Sequence, residues 1–161
     1  MAKKIHHFDG FTISTDSMQI EVDAKDLTRK FNKAQFALDS AIMTSMIPFM
    51  PQQTGQFINE TQAESAALAG SGQVVAAAAP MGRFLYEGKK MVDEQTGKGP
   101  MRIKDKYGGE NIRWRKGAKL KPTGTPLSYS RESARPHWFD EAKLRDGDNW
   151  VELVKKEIGK E

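Results

Sequence analysis

The sequence has 161 residues, the length of one domain, and a chain of this size can bury a core. It contains no cysteine, which excludes disulfide scaffolds, cysteine-ligated metal centres and thiol nucleophiles. The formal net charge is +4, no apolar run approaches the ~18 residues of a membrane span, and the basic first residues are not followed by the apolar stretch of a secretory signal. We expect a soluble protein that binds no membrane and is intracellular or part of a particle.

The first predicted elements are a hairpin and a long helix, preceded by an N-terminal tail over residues 1–10. Residues 11–22 alternate apolar and polar side chains on both sides of a Thr-Asp-Ser turn, which predicts a strand or a hairpin. Asp23 is the predicted N-cap of the helix, and Asp26 occupies the capping-box position. Apolar residues then recur every three or four positions until Pro48, which predicts a helix of about 24 residues.

Short elements are predicted for the middle of the chain. Residues 49–55 have the composition of a turn. Residues 56–63 and 73–79 are predicted strands joined by a loose glycine-containing stretch, although the run of alanines in the second is also compatible with a helix. Residues 81–86 are predicted to form a single helical turn.

The last third of the chain is predicted to hold a long loop and a broken helix. Residues 87–126 are rich in glycine and proline, which predicts a loop, with a mobile hairpin around Ile103 and residues 112–114 as the alternative. Apolar spacing over residues 136–158 predicts a helix with a break at residues 146–148, where Asp148 caps a second helix.

Together these elements predict an α+β fold. A small antiparallel sheet packs against the long N-terminal helix and a C-terminal helix in one domain that spans residues 1–161. An extended basic loop at residues 89–126 projects from it.

Catalytic and metal-binding patterns are scarce. His6 and His7 are adjacent in an extended segment and point in opposite directions, which is unfavourable for a shared metal ion. His137, beside Trp138, is more typical of a packing residue at a helix start than of a general base. The segment Gly97-Lys98-Gly99 lacks the flanking strand and helix of a phosphate-binding loop, and the common nucleotide and zinc-protease motifs are absent. The sequence therefore predicts no enzymatic activity, no cofactor and no metal.

The positive charge is concentrated in one segment. Residues 89–122 hold eleven Lys and Arg against four Asp and Glu, a net charge of +7, whereas the rest of the chain sums to −3. Contact with nucleic acid, docking on an acidic protein surface and a solvated loop are three interpretations that the residues leave open. The candidate contacts to a partner or to DNA are Lys98, Arg102, Lys104, Lys106, Arg113, Trp114, Arg115, Lys116 and Lys119.

Three segments, in a fixed order, carry a resemblance to a known family. They are MIPFMPQQTG at residues 46–55, APMGRFLYEG at residues 79–88, and LSYS at residues 127–130 followed by PHWFDEA at residues 136–142. The set resembles the minor capsid and tail-completion proteins of long-tailed bacteriophages. In that family a long N-terminal helix ends in P-x-x-T-G, a P-Y-A-x-x-x-Y-x-G-like step follows, and L-x-Y-S precedes an aromatic-tipped last helix. This chain has Pro80-Met81-Gly82 where Pro-Tyr-Ala is commoner.

The resemblance implies a structural protein of the virion without catalytic activity. It implies a ring of identical subunits at the head–tail junction, between the head connector and tail proteins, made in the cytoplasm of the host bacterium. The basic segment then faces either a neighbouring subunit or DNA in the channel. The alternative is a small basic nucleic-acid-binding protein that acts through residues 89–122; the net charge of −3 outside that segment favours local contact over wrapping of DNA.

The resemblance also implies fold-setting roles for five residues. Pro51 and Gly55 set the turn from the long helix into the sheet. Tyr86 and Gly88 end the central strand–turn unit, and Trp138, together with the residue after it, attaches the last helix to the sheet.

Overall fold

Four α-helices and six strands make up the described parts of the chain, which are residues 4–79, 81–104 and 109–160 of a computed structural model. The predicted α+β class is confirmed. The strands pair into three separate two-stranded antiparallel sheets, β1–β2, β3–β6 and β4–β5. In chain order the elements are β1 Phe11–Thr15, β2 Met18–Val22, α1 Lys25–Met46, a 3-10 turn Ile47–Phe49, α2 Gln56–Leu68, α3 Gly82–Glu87, β3 Lys89–Asp93, β4 Met101–Lys104, β5 Glu110–Arg113, β6 Leu120–Pro126 and α4 Trp138–Ile158.

The core lies where α1 and α4 pack against each other and meet the start of α2. Methionine side chains supply much of its volume, because their flexible thioethers fill irregular gaps between helices. The buried cluster consists of Met43, Met46, Met50, Ile58, Trp138, Ala142 and Trp150.

Helix α1 confirms the strongest sequence prediction. Its 22 residues end at Met46, and Pro48, which has no backbone N–H to donate, sits in the 3-10 turn that follows. Ile47 before the proline keeps a helical conformation, with φ −51° and ψ −43°. The predicted N-cap is displaced by one position. Ala24 occupies it without a side-chain hydrogen bond, while the Asp23 carboxylate accepts one from the Lys25 N–H at 2.9 Å. That hydrogen bond lowers the pKa of Asp23.

The predicted strand at residues 56–63 is wrong, because this segment belongs to helix α2. Gly55 provides the left-handed start of that helix, at a φ of +85°. The residues that α2 buries are Ile58, Thr61 and Ser65, spaced by three and four. Two of these three buried residues are polar, so the sequence lacks the regular three- and four-residue spacing of apolar side chains that would have predicted a helix.

The predicted strand at residues 73–79 is also wrong, since the segment has no regular structure. Its main chain pairs with side chains of α2 instead. The Ser65 hydroxyl exchanges hydrogen bonds of 2.9 and 3.0 Å with the main chain of Val75, and the Thr61 hydroxyl accepts one from the Ala78 N–H at 3.1 Å. Small side chains allow this close approach, which accounts for the run of alanines.

Residues 89–126, the basic arm, are not the predicted loop. Strands β3 and β6 form a ribbon at its base, and β4 and β5 form the predicted hairpin around Ile103. The single helical turn predicted at residues 81–86 corresponds to α3.

The predicted break at residues 146–148 is wrong, because α4 is continuous and Asp148 lies inside it. One glycine inside a helix costs about 1 kcal/mol. Packing on α1 offsets this cost, since Trp150 is buried and its indole N–H donates to the Ser45 hydroxyl at 3.2 Å.

Candidate interaction surfaces

The first and third resemblance segments meet where the Ser130 hydroxyl donates to the Gln52 carbonyl at 3.2 Å, and residues 131–135, which join the two parts of the third segment, contact the end of α1. The main-chain oxygens of residues 47–49 accept hydrogen bonds from the Arg131 guanidinium, the Ser133 hydroxyl and the Arg135 N–H, at 3.1, 2.7 and 3.0 Å. The last carbonyl groups of a helix lack partners within it. The segment before α4 therefore closes the end of α1.

The second and third segments meet at the end of α3 in the same way. The Tyr129 hydroxyl donates to the Leu85 carbonyl at 2.6 Å, the His137 N–H donates to the Tyr86 carbonyl at 2.9 Å, and an N–H at residue 127 donates to the Gly88 carbonyl at 2.8 Å. Burial raises the pKa of the Tyr129 phenol, which keeps its proton on the oxygen as a donor at neutral pH.

Pro51 and Gly55 form the turn after α1, as the resemblance implies, but the turn leads into α2 and not into a sheet. This corrects the predicted role. A surface pocket of about 430 Å³ lies between this turn and the L-x-Y-S segment, lined among others by Met81, Leu85 and Tyr129. The turn that contains Pro51 and Gly55 therefore also forms one wall of a concave surface.

Gly88 ends helix α3, not a strand–turn unit, which corrects the second predicted role. Its φ is +63°, in the left-handed region, and a Cβ added there would lie 2.5 Å from Cβ of Pro136. Glycine is therefore required both by backbone conformation and by space. Tyr86 lies in the last turn of α3, where burial and the nearby Asp140 raise the pKa of its phenol.

Trp138 attaches α4 to α2 and α3, and not to a sheet as predicted. Its side chain is fully buried, and its indole N–H donates to the Ala76 carbonyl at 2.7 Å. The ring packs edge-on against Tyr86, with centroids 4.8 Å apart, and against Phe57 at 5.9 Å. Phe139, the residue after it, stacks on Trp150 of the same helix.

The basic arm separates the candidate contact residues into two groups. Seven of them are exposed, and of these only Arg115 also has a structural role described below: Lys98, Arg102, Lys104, Arg113, Arg115, Lys116 and Lys119. Lys106 lies outside the described residues. Trp114 and Arg115 have structural roles at the base of the arm, which the sequence did not indicate.

Arg115 forms a bidentate ion pair with Asp93 of β3, with N···O distances of 2.7 and 3.2 Å. The Asp93 side chain is almost fully buried. Hydrogen bonds from Arg115, with a further one from the Gln95 N–H, hold the pKa of Asp93 below its ordinary value, and the same pairing raises the pKa of Arg115. Trp114 packs on α3, with its ring centroid 5.9 Å from that of Phe84.

Strands β1 and β2, here called the N-terminal hairpin (residues 11–22), are exposed at every residue. Their register places Phe11 opposite Val22, Ile13 opposite Ile20 and a threonine opposite Met18. These five apolar side chains therefore share one face, and each is between 38 and 59 % exposed. The sequence predicted the hairpin but not that its apolar face lies uncovered.

Asp39 is a buried polar residue that sequence reasoning missed. It lies in the middle of α1, only 3 % exposed, and its carboxylate accepts hydrogen bonds from the Gln35 side chain and from the N–H groups of Gly70 and Gly72. The carboxylate thereby fixes the turn after α2 to α1. Gly70 and Gly72 are the only hint of this contact in the sequence, because they indicate a tight turn. In the structure both glycines have positive φ.

The histidines are placed in packing or surface environments. The His6 ring packs against Phe31 and its Nε2 is 3.2 Å from the Gln35 side-chain oxygen, while His7 pairs with Asp9 at 2.9 Å. His137 precedes α4 with a φ of +51°. Within residues 4–79, 81–104 and 109–160, no group of three or more His, Asp or Glu side chains has an arrangement that could hold a metal ion.

Across the same described ranges, no helix combines the length and apolar character needed to cross a membrane. Neither family models, nor curated proteins, nor solved structures give a match to this chain.

Proposed function

We propose that this chain is a structural subunit of a long-tailed bacteriophage virion, positioned at the head–tail junction. Identical copies form a ring between the head connector and the tail proteins. The subunit is made in the cytoplasm of the host bacterium and becomes part of the particle. It acts by binding its neighbours and carries out no reaction.

The observation that supports this proposal most strongly is the meeting of the three resemblance segments. Ser130 and the Gln52 carbonyl are 78 positions apart in sequence, and Tyr129 and the Leu85 carbonyl are 44 positions apart, yet each pair is hydrogen-bonded. Segments that set one fold together are expected to contact one another, and these three do. Their contact makes the order of the motifs a property of one folded unit.

The exposed surfaces also favour a subunit that is completed by assembly. Soluble monomers rarely expose large contiguous apolar patches, and such patches commonly mark binding sites. Here the N-terminal hairpin exposes a whole apolar face, and the arm exposes Met101 and Ile103.

Light scattering and electron microscopy of the purified chain test the proposal. We expect a closed ring with a fixed number of copies, whose population rises with protein concentration. A chain that stays monomeric at every protein and salt concentration contradicts a self-assembling ring.

Nucleic-acid binding through the arm is the second candidate function, favoured by the net charge of +7 on residues 89–122. Two contacts weaken it. Trp114 packs against Phe84 and so cannot readily stack on a base, and Arg115 is engaged by Asp93.

A salt series of duplex-DNA binding separates the two candidates. Under the ring proposal, DNA binding is weak and changes little in the Lys116→Ala/Lys119→Ala variant. Tight binding with a steep salt dependence, lost in that variant but kept in a Lys155→Ala/Lys156→Ala control on α4, would favour the nucleic-acid function.

A further inference from the structure

We propose that the apolar face of the N-terminal hairpin docks on the basic arm of a second copy of this chain. The inference rests on the proposed ring and names the two surfaces that join its subunits.

The apolar face of the N-terminal hairpin needs a partner surface to bury it. An isolated two-stranded hairpin is marginally stable in water. All ten residues of β1 and β2 are exposed, so no other described part of the chain covers either face. Cross-strand pairs such as Ile13–Ile20 give one face an apolar surface, while the opposite face carries polar pairs such as Ser14–Gln19.

Charge identifies the surface that fits this face. Residues 8–24 contain four acidic side chains and no Lys or Arg, a charge of −4. That charge disfavours nucleic acid and anionic lipid as the occupant. The basic arm offers the opposite charge, +7 over residues 89–122, beside Met101 and Ile103 of β4, which are 53 and 44 % exposed. Apolar contact and charge complementarity therefore act together.

The two surfaces are different parts of the chain, so the contact is head to tail. A head-to-tail contact generates a ring when its rotation closes. Five half-exposed apolar side chains offer roughly 400–500 Å², about half of the ~800 Å² per partner in a standard interface. A single contact is therefore weak, and closure of the ring, which gives every subunit two contacts, stabilises the assembly.

The absence of cysteine makes cross-linking a clean test. We expect the variant Met18→Cys/Met101→Cys, treated with a short bismaleimide, to give a ladder of products that ends at the ring size measured by light scattering. The variant Gln19→Cys/Met101→Cys moves the first cysteine to the polar face of the hairpin and is expected to give no ladder. Met18→Cys alone is also expected to give no dimer.

A second variant tests the energetics without disturbing the fold. Ile13→Thr/Ile20→Thr keeps β-branched side chains, and because this face is exposed we expect unchanged unfolding of the monomer. We expect ~10–100-fold weaker association. Ser14→Ala/Gln19→Ala, on the opposite face, is the matched control and should assemble normally.

Each other outcome overturns the inference. A ring that forms without a ladder of cross-linked products refutes the hairpin–arm contact, while the ring proposal stands. A ladder from Met18→Cys/Leu144→Cys also refutes that contact, because it would place the hairpin on α4 of the neighbouring subunit. A dimer from Met18→Cys alone shows hairpins docked on each other. A wild-type chain that stays monomeric refutes the ring and the contact together.

Discussion

Replacing Asp39 by alanine should destabilise the fold strongly, because this carboxylate is the buried link between α1 and the turn after α2. One carboxylate oxygen accepts from the Gln35 side-chain amide at 2.7 Å. The other accepts from the N–H groups of Gly70 at 2.7 Å and Gly72 at 3.1 Å. Alanine leaves all three donors without this acceptor.

The size of the loss follows from how deeply each donor is buried. A hydrogen bond to a charged group contributes about 1.5–3 kcal/mol, and the contribution falls when water can replace the partner. Gly70 is buried, whereas Gly72 is exposed and Gln35 is half-buried. We therefore expect Asp39→Ala to lose about 3–4 kcal/mol in total. At ~2–4 °C per kcal/mol for a chain of this size, the melting temperature falls by roughly 6–16 °C.

Asparagine separates the charge from the shape of the side chain. Its oxygen can still accept from both glycine N–H groups, so we expect Asp39→Asn to lose about 1–2 kcal/mol. Urea unfolding followed by tryptophan fluorescence measures both variants, since Trp138 and Trp150 are buried. Asp148→Ala, an exposed carboxylate on α4, is the control and should change stability little. The reasoning fails if Asp39→Ala lies within about 1 kcal/mol of the wild type, or if Asn destabilises as much as Ala.

Three further predictions use single sites. Gly88→Ala should lose about 2–4 kcal/mol, from its left-handed φ and the contact with the proline ring. Gly97→Ala, at a φ of +67° with no atom within 4 Å, should lose only about 1 kcal/mol in the same urea titration, and equal losses would contradict the steric argument. Trp138→Phe should lose about 2–3 kcal/mol, because it removes volume and leaves a carbonyl unpaired; a melting temperature equal to that of the wild type would count against this. The ion pair of Asp93 should be fully formed above about pH 4 and lost as pH falls through the lowered folded-state pKa. The Arg115 Nε–H resonance in NMR should therefore shift with a midpoint below the ordinary pKa of an aspartate side chain, and a midpoint at or above that ordinary pKa contradicts the assignment.

The spacing of apolar residues was sufficient to predict an element where those residues recur regularly along one of its faces. Helix α1 has apolar residues at three and four spacing and a proline just beyond its end, and the N-terminal hairpin alternates strictly. Helix α2 has a weak period, since Thr61 and Ser65 occupy core positions normally held by apolar residues. Their hydroxyl groups bind main-chain groups 10 and 17 residues away in sequence, which no local pattern reveals.

The C-terminal half departed from prediction for a similar reason. Glycine and proline suggested a loop at residues 89–126, but pairing between β3 and β6 spans about thirty residues and depends on long-range register. Gly147 suggested a helix break, and the buried Trp150 overrode it.

The sequence could predict the charge of the candidate surfaces, but not which of their side chains are exposed. Composition located the basic segment and its cationic residues. Only the fold shows that Trp114 and Arg115 are engaged within the subunit and that the apolar face of the hairpin is uncovered. Asp39 was not identified, because a carboxylate inside an amphipathic helix ordinarily faces water.

The pairing of α1 with α4 has a consequence for biosynthesis. Trp150 reaches Ser45 across 105 positions, so translation at ~5–20 residues per second leaves α1 waiting roughly 5–20 s for its partner. During that interval the side of α1 that packs on α4 is uncovered, and the nascent chain is vulnerable to aggregation or to capture by chaperones. The subunit therefore acquires its core only once residue 150 has been synthesised, which delays folding until most of the chain is made.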